Sequence, residues 1–310
     1  MILATEISKR QKLESALDSA TATKKRMEGQ LVEALQQKEK LQDCSQAMLK
    51  KLLAAALLEK GYIYQHNVGR GAFGLTYSCT KGRKRYALKV QYNEAGDVTL
   101  KKENAVMKAL HANPAAGTQY LLKPDEGLES INGLVVILTP FYGRTLKHYM
   151  DHKWKGAEAP IKRLAKGLCL GLALMHECGY AHRDIKPDNV LLQNEEGDPV
   201  IIDFGLVNAE GLRTGTVKYL APEQKGGAGP VRSSEWWCLQ GWDQRKFDSW
   251  AVGLIVQMCF EGHVVPPQAG RFIKDLMQLD HKKRLSVAEA VEHEWFTEQQ
   301  PLDATERLFK

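Results

Sequence analysis

Hydrophobic positions along this chain change period in three successive regions. Across residues 1–60 they recur by sevens, with Leu13, Ala20, Met27, Ala34, Leu41, Met48 and Ala55 forming one stripe. The companion stripe is mixed: Leu3, Arg10, Leu17, Lys24, Leu31, Lys38, Ser45 and Leu52. Ala, Leu, Lys, Glu and Gln dominate, no Pro precedes Pro114, and Gly29 is the only Gly before Gly61. This composition predicts a long helix that stops at Gly61. About 50 helical residues would reach roughly 75 Å, too long to fold back as one small lobe. The half-strength heptad leaves two outcomes open. One is a coiled coil that forms a homodimer or docks on a helical partner; the other is a solvated helix whose last turns pack on the rest of the chain.

The second region, 61–140, has a strand-like pattern. Leu75–Cys79 and Tyr86–Val90 flank a polar turn at Lys81–Arg83 and predict a hairpin. Lys101–Leu110 places Val106, Met107 and Leu110 on one helical face. Gly133–Thr139 is a continuous apolar run, expected to be a buried strand, and Pro140-Phe-Tyr-Gly143 ends it. The third region, 141–299, is mostly helical. Pro160–Cys178 has a long helical face, and Asp248 opens a very apolar helix. Val190–Leu192 and Val200–Ile202 are two short buried strands within it. Residues 300–310 form a tail.

Composition adds bounds. At 44% hydrophobic and 26% charged the chain is of ordinary globular type. No run of about 18 apolar residues is present, so no membrane span is expected, and the N-terminus turns polar too early for a signal peptide. Cys44, Cys79, Cys169, Cys178, Cys238 and Cys259 show no paired spacing. That favours reduced thiols in a cytoplasmic or nuclear compartment over disulfides or a zinc site. The net charge of +6 is spread out, with 11 Lys/Arg against 8 Asp/Glu in residues 1–60. No nucleic-acid partner is expected without a concentrated basic face.

The polar chemistry concentrates in His182–Gly205. Asp184 and Asn189 lie five apart, Lys186 stands between them, and Pro187 rules out a regular helix. The second short strand delivers Asp203, and Gly205 permits an unusual backbone angle. Carboxylates and a carboxamide near one cation suit Mg²⁺ with phosphate. Upstream, Gly69, Gly71 and Gly74 have Gly-x-Gly-x-x-Gly spacing. Dinucleotide folds share that spacing, but they need a helix next, and here a hairpin follows.

Taken together, these motifs resemble those of the eukaryotic protein kinases, serine/threonine class. The resemblance implies an α+β, two-lobed fold: a small antiparallel sheet lobe with one helix (61–140), a larger helical lobe (141–299), and the long N-terminal helix. It implies transfer of the γ-phosphate of ATP, with Mg²⁺, to hydroxyls of a protein substrate. Asp184 would accept the substrate hydroxyl proton, Lys186 would steady the moving phosphoryl group, and Asn189 and Asp203 would hold Mg²⁺. The ATP site would comprise Gly69, Gly71, Gly74, Thr76, Ala87, Lys89 paired to Glu103, Leu138 at the back of the cleft, Phe141 and Leu191. Thr214, Thr216 and Glu223 fall in the activation segment. Asp248 would tie down the catalytic loop, and Arg284 would pair with Glu223.

The chain also departs from the family pattern. The segment from Lys89 to Glu103 is short, so a small helix there is expected to be missing. Thr145 stands where family members often have an acid that holds the ribose. Residues 225–247 form a Gly-then-Trp-rich insert, and the helix that usually follows Phe260 is largely deleted. The short activation segment suggests activity without loop phosphorylation, with Glu210 as a substitute anion. A pseudokinase or scaffold working through the helical extension is the alternative. It needs a lost catalytic residue, and Lys89, Glu103, Asp184, Asn189 and Asp203 are all present.

Overall fold

The computed structural model describes residues 48–71, 74–91, 94–112, 114–125, 130–131, 134–152, 157–194, 196–208, 214–225 and 243–297. Residues 1–47 of the heptad stretch, Glu210, residues 226–242 of the Trp-rich insert and the 300–310 tail lie outside them. The chain divides into two compact units, residues 1–64 and 65–310.

In the first unit, helix α1 (residues 48–59) buries Leu53, Ala56 and Leu57, spaced i, i+3, i+4 on one face. The heptad positions Met48 and Leu52 are instead 66% and 53% exposed. The helix stops where the sequence predicts. Gly61 has φ 80°, the Tyr62 amide bonds Leu57 O at 2.9 Å and the Gly61 amide bonds Leu58 O at 2.9 Å. This pair of bonds satisfies carbonyls that the helix end leaves open.

A five-stranded sheet follows along the chain. Strands β1 (Ile63–Gly71), β2 (Gly74–Lys81), β3 (Lys84–Val90), β4 (Ser130–Ile131) and β5 (Leu134–Pro140) take the order β1-β2-β3-β5-β4. β2 pairs antiparallel with β3, and β3 with β5. Register decides what each face carries. Thr76 opposes Lys89, Lys89 opposes Ile137, and Ala87 opposes Thr139. Tyr77, Leu88 and Leu138 form the row on the opposite face. Helix α2 (Glu94–Ala112) crosses behind β5 and starts seven residues earlier than its apolar face suggests. Residues 91–93 alone separate it from β3, too few for a further helix between them, in line with the short segment seen in the sequence.

The remainder is helical: α3 (Leu146–His152), α4 (Glu158–Glu177), α5 (Pro222–Lys225), α6 (Arg245–Cys259), α7 (Pro267–Leu276), α8 (Val287–Ala290) and α9 (Glu294–Thr297). Between α4 and α5 lies a two-stranded antiparallel ribbon, β6 (Val190–Leu192) with β7 (Pro199–Ile201). α4 buries Ile161, Leu164, Leu168, Leu172 and Met175 along one face. These pack in one core with Met107 of α2, Val190 and Val200 of the ribbon, and Val252, Ile255 and Phe272 of α6 and α7. Each such side chain contributes about 1.5–3 kcal/mol on burial. The chain runs from Cys259 to Pro267 with no helix between, as the sequence predicts. Among the described residues no helix is long and apolar enough to cross a membrane. Cys79, Cys169, Cys178 and Cys259 are free thiols.

Candidate active site

Three structural parts place polar side chains around one cleft. The sheet supplies Lys89 from β3, and α2 supplies Glu103, which is 2% exposed. Lys89 Nζ donates to Glu103 at 2.7 and 3.0 Å and to Asp203 Oδ1 at 3.0 Å. Burial works against the Lys89 ammonium, but the Glu103 and Asp203 carboxylates outweigh it and hold the group above its ordinary value. Burial likewise acts to lift the Asp203 carboxyl, and the adjoining Lys89 outweighs it, leaving Asp203 below the usual carboxylate range. Lys89 therefore links two carboxylates 100 positions apart in sequence, one on the helix and one after β7.

The loop after α4 carries the second group. Asp184 Oδ1 accepts from the Thr216 amide at 2.8 Å and from Thr216 Oγ1 at 2.7 Å. Its Oδ2 accepts from Lys186 Nζ at 2.6 Å and from Asn189 Nδ2 at 3.1 Å. Four donors thus fix the carboxylate in one orientation. Lys186 also reaches Thr216 Oγ1 at 2.8 Å. Because Asn189 turns its amino group to Asp184, also donating to Asp184 O at 2.9 Å, its carbonyl oxygen is left for another ligand.

The backbone beneath is held by buried groups. Asp248, at the start of α6, accepts the His182 amide at 2.8 Å and the Arg183 amide at 2.9 Å. His182 Nδ1 accepts from the Asp184 amide at 3.3 Å, so Nε2 carries the proton and donates to Ile202 O at 3.0 Å. Phe204 is fully buried, its ring 5.7 Å from that of His182. Arg284, on the other side of α6, donates to Glu223 at 2.6 and 3.0 Å. Arg183 is 3% exposed, its Nη1 donates to Gln244 Oε1 at 2.7 Å, and its guanidinium lies 5.3 Å from the Phe247 ring centre.

The cleft between the sheet and the helical part encloses about 280 Å³. Gly69, Gly74, Thr76, Ala87, Lys89, Glu103, Phe141, Leu191, Asn189 and Asp203 line it, as the sequence anticipates, and so does Thr145. Leu138 does not line it. It is 1% exposed and faces away with Leu88, because the register puts Ile137 and Thr139 on the cleft side instead. The expected back-of-cleft residue is therefore corrected to Thr139, whose Oγ1 lies 3.5 Å from Ala87 O. Val68, Leu122, Ile137, Tyr142 and Ile202 also line the cleft and fall outside the residues assigned to the site from the sequence. The Gly71 side of the turn lies outside the residues whose surroundings are described.

The cleft's donor set suits a nucleotide with a divalent cation. Its apolar wall (Val68, Ala87, Leu122, Leu191) fits a planar base, and Lys89 offers a cation of the sign phosphate requires. Gly74 is needed for the packing of the turn on the neighbouring strand, since a Cβ there would sit 2.3 Å from Val90 O. Asp203 and the Asn189 carbonyl are hard oxygen donors. No group of three or more His, Cys, Asp or Glu that could hold a metal occurs among the described residues. A magnesium ion here would complete its shell with phosphate and water, its usual arrangement.

Comparison with known proteins agrees with this geometry. The protein kinase domain family matches residues 62–268. Myosin light chain kinase A of Dictyostelium discoideum is 27% identical over 281 residues, covering 77% of this chain and 88% of that protein. The RAC family serine/threonine-protein kinase homolog of the same organism is 28% identical over 249 residues, 71% of this chain and 54% of that protein. A calcium/calmodulin-dependent protein kinase, cmkB, of Emericella nidulans is 26% identical over 250 residues, 67% and 57% respectively. The chain thus spans little more than half the length of the last two relatives.

Proposed function

The chain belongs to the protein kinase family, in its serine/threonine class, and from that premise we propose that it transfers the γ-phosphoryl group of ATP to serine and threonine hydroxyls of proteins. The observation that carries this reading is the simultaneous assembly of Lys89 with Glu103 and Asp203, and of Asp184 with Lys186, Asn189 and Thr216. ATP would lie along the Gly69–Gly74 turn, its phosphates toward Lys89. Asn189 and Asp203 would hold Mg²⁺, which when bound neutralises charge on the phosphates.

The chain's own groups then do the positioning. Asp184 orients the substrate hydroxyl and takes its proton. Phosphoryl transfer asks mainly for alignment and charge stabilisation, so a carboxylate held by four donors is adequate. Lys186, on the same carboxylate and on Thr216, stands beside the path of the moving group. The Lys186–Thr216 bond supports the serine/threonine assignment.

Residues 1–60 are proposed as a helical extension that dimerises the chain or docks on a helical partner, supported by the exposed heptad positions Met48 and Leu52. Sedimentation of the full chain against residues 60–310 tests this; a monomer in both cases rejects the dimer. We place the protein in the cytoplasm or nucleus on its scattered cysteines. The catalytic reading is tested by incubating the full chain with Mg-ATP and a mixed Ser, Thr and Tyr peptide library. Phosphate on serine or threonine is expected; phosphate on tyrosine alone, or none, contradicts it.

A further inference from the structure

The mouth of the cleft around Asp184 has a sign. Each carboxylate in the catalytic cluster already has a cation: Asp184 has Lys186, Asp203 and Glu103 share Lys89, and Glu223 has Arg284. Among the described residues the remaining acid on the rim is Asp188, in the turn Pro187–Asn189, 49% exposed. It would be the natural counter-ion for a basic residue in a substrate. Lys147, in the first turn of α3, sits 3.6 Å from its Oδ1.

Two more cations stand on the same rim. Arg144 is anchored beside the β6 strand, since its carbonyl accepts the Leu192 amide at 3.1 Å. Its side chain meets the imidazole of His148, Nη1 to Nε2 at 2.5 Å. Lys218 follows Thr216 by two residues, and Thr216 is bonded directly to Asp184. Lys218 Nζ is 5.8 Å from the Tyr219 ring centre. Neither Arg144 nor Lys218 has a carboxylate partner among the described residues. Burial, and after it the Asp188 carboxylate, push the Tyr219 hydroxyl upward, which puts the Val217–Tyr219 turn and Asp188 in mutual electrostatic range.

We propose that Arg144, Lys147 and Lys218 make this rim a receptor for acidic peptide, so that the preferred substrates carry Glu, Asp or phosphorylated residues around the acceptor hydroxyl. The inference rests on the kinase reading above and adds its substrate class. The physical basis is local. Among the described residues Lys147 offsets the one rim carboxylate, and two cations without a carboxylate partner remain on separate elements. Charges beside a cleft focus the field on a ligand entering it, and rim pairs within about 8 Å act before salt screens them. A basic peptide would meet Arg144 and Lys218 with no free carboxylate among the described rim residues to offset them.

Two readouts on the full chain separate this inference from the activity itself. Peptides with one serine flanked by Glu, or by Lys, are compared first by fluorescence anisotropy and then as phosphate acceptors from Mg-ATP. The Glu-flanked peptide is expected to bind and react at least about fivefold better, with the preference shrinking as salt rises. The triple variant Arg144→Glu, Lys147→Glu, Lys218→Glu is expected to reverse the order. Acidic preference in binding without any transfer would support the rim and count against the kinase reading. Transfer with equal or better use of the Lys-flanked peptide would overturn the rim and leave the kinase reading standing. Unchanged preference in the triple variant would also overturn it.

Discussion

The Oδ1 atom of Asp248 accepts the backbone amide of Arg183 at 2.9 Å, across 65 positions of sequence. Arg183 has φ 73°, in the left-handed region, where a residue with a side chain is strained by about 1–3 kcal/mol. The next residue is Asp184. A buried carboxylate in the helical core thus pins a strained peptide one step ahead of Asp184, and the other Asp248 oxygen holds the His182 amide and His176 Nε2 at 2.8 Å each.

Asp248→Asn should therefore lower stability by about 3–5 kcal/mol, the cost of breaking a buried charged network. The effect has a pH signature. Burial would lift the Asp248 carboxyl, but its bonds to His176, together with His182 and the Arg183 amide, outweigh that and hold it below the ordinary range. A depressed folded value means the stabilisation is present above the unfolded value of about 3.9 and is lost as pH falls through the folded one. Urea melts of both proteins should show a constant gap above about pH 5 that narrows below about pH 4. A gap that widens in acid would contradict the account.

Thr139 and Leu138 should separate cleanly. Thr139→Phe fills the back of the cleft and should weaken nucleotide binding at least about tenfold, with stability changed by less than about 2 kcal/mol. Leu138→Ala, on the other face, should cost about 2–5 kcal/mol of stability and leave nucleotide affinity within about threefold. Calorimetric titration with ATP and thermal melts of both variants check the pair. The opposite pattern would return Leu138 to the cleft.

Activity should not depend on phosphate in the activation segment. Arg183, the neighbouring cation that could receive such a phosphate, is already buried against Gln244 and Phe247. Thr214→Ala and phosphatase-treated wild type should both retain phosphotransfer within about twofold, since no charge-assisted contact to Arg183 is being removed. A loss of tenfold or more in both would show that the phosphate is needed.

Arg284 and Glu223 form a fully buried pair, at 0% and 5% side-chain exposure. Arg284→Ala should cost about 3–5 kcal/mol by leaving Glu223 without its cation. The double variant Arg284→Met, Glu223→Leu should cost clearly less, because neither charge is then stranded. Equal losses in chemical denaturation would contradict a pairing role.

The candidate catalytic residues were legible because the proposed chemistry dictates residue type and spacing: Asp184, Lys186, Asn189 and Asp203 must present charges and a carboxamide on short segments. The hairpin, β5, α4 and the stop at Gly61 were legible from period and from the need for a left-handed cap. The error at Leu138 has a simple cause. Counting along a strand that leads into a connecting segment is uncertain by one residue, and in a strand one residue exchanges the two faces. Only the pairing of Ala87 with Thr139 settles it. The early start of α2 was hidden because Glu94–Thr99 lacks an apolar stripe. The Arg183–Gln244 contact, 61 positions apart, and the close fit of Gly74 against Val90 have no local signal at all.

The central claim, that the Lys89–Glu103–Asp203 cluster and Asp184 together transfer phosphate, is tested most directly by one comparison. Phosphate incorporation from Mg-ATP into a serine and threonine peptide library is measured for wild type, Asp184→Asn and Asp203→Asn, each shown to be folded by circular dichroism. The account predicts robust transfer by wild type and a fall of at least about 100-fold in both variants, since each removes a group that the account places at the reacting phosphate or hydroxyl. Equal transfer by all three proteins would contradict it.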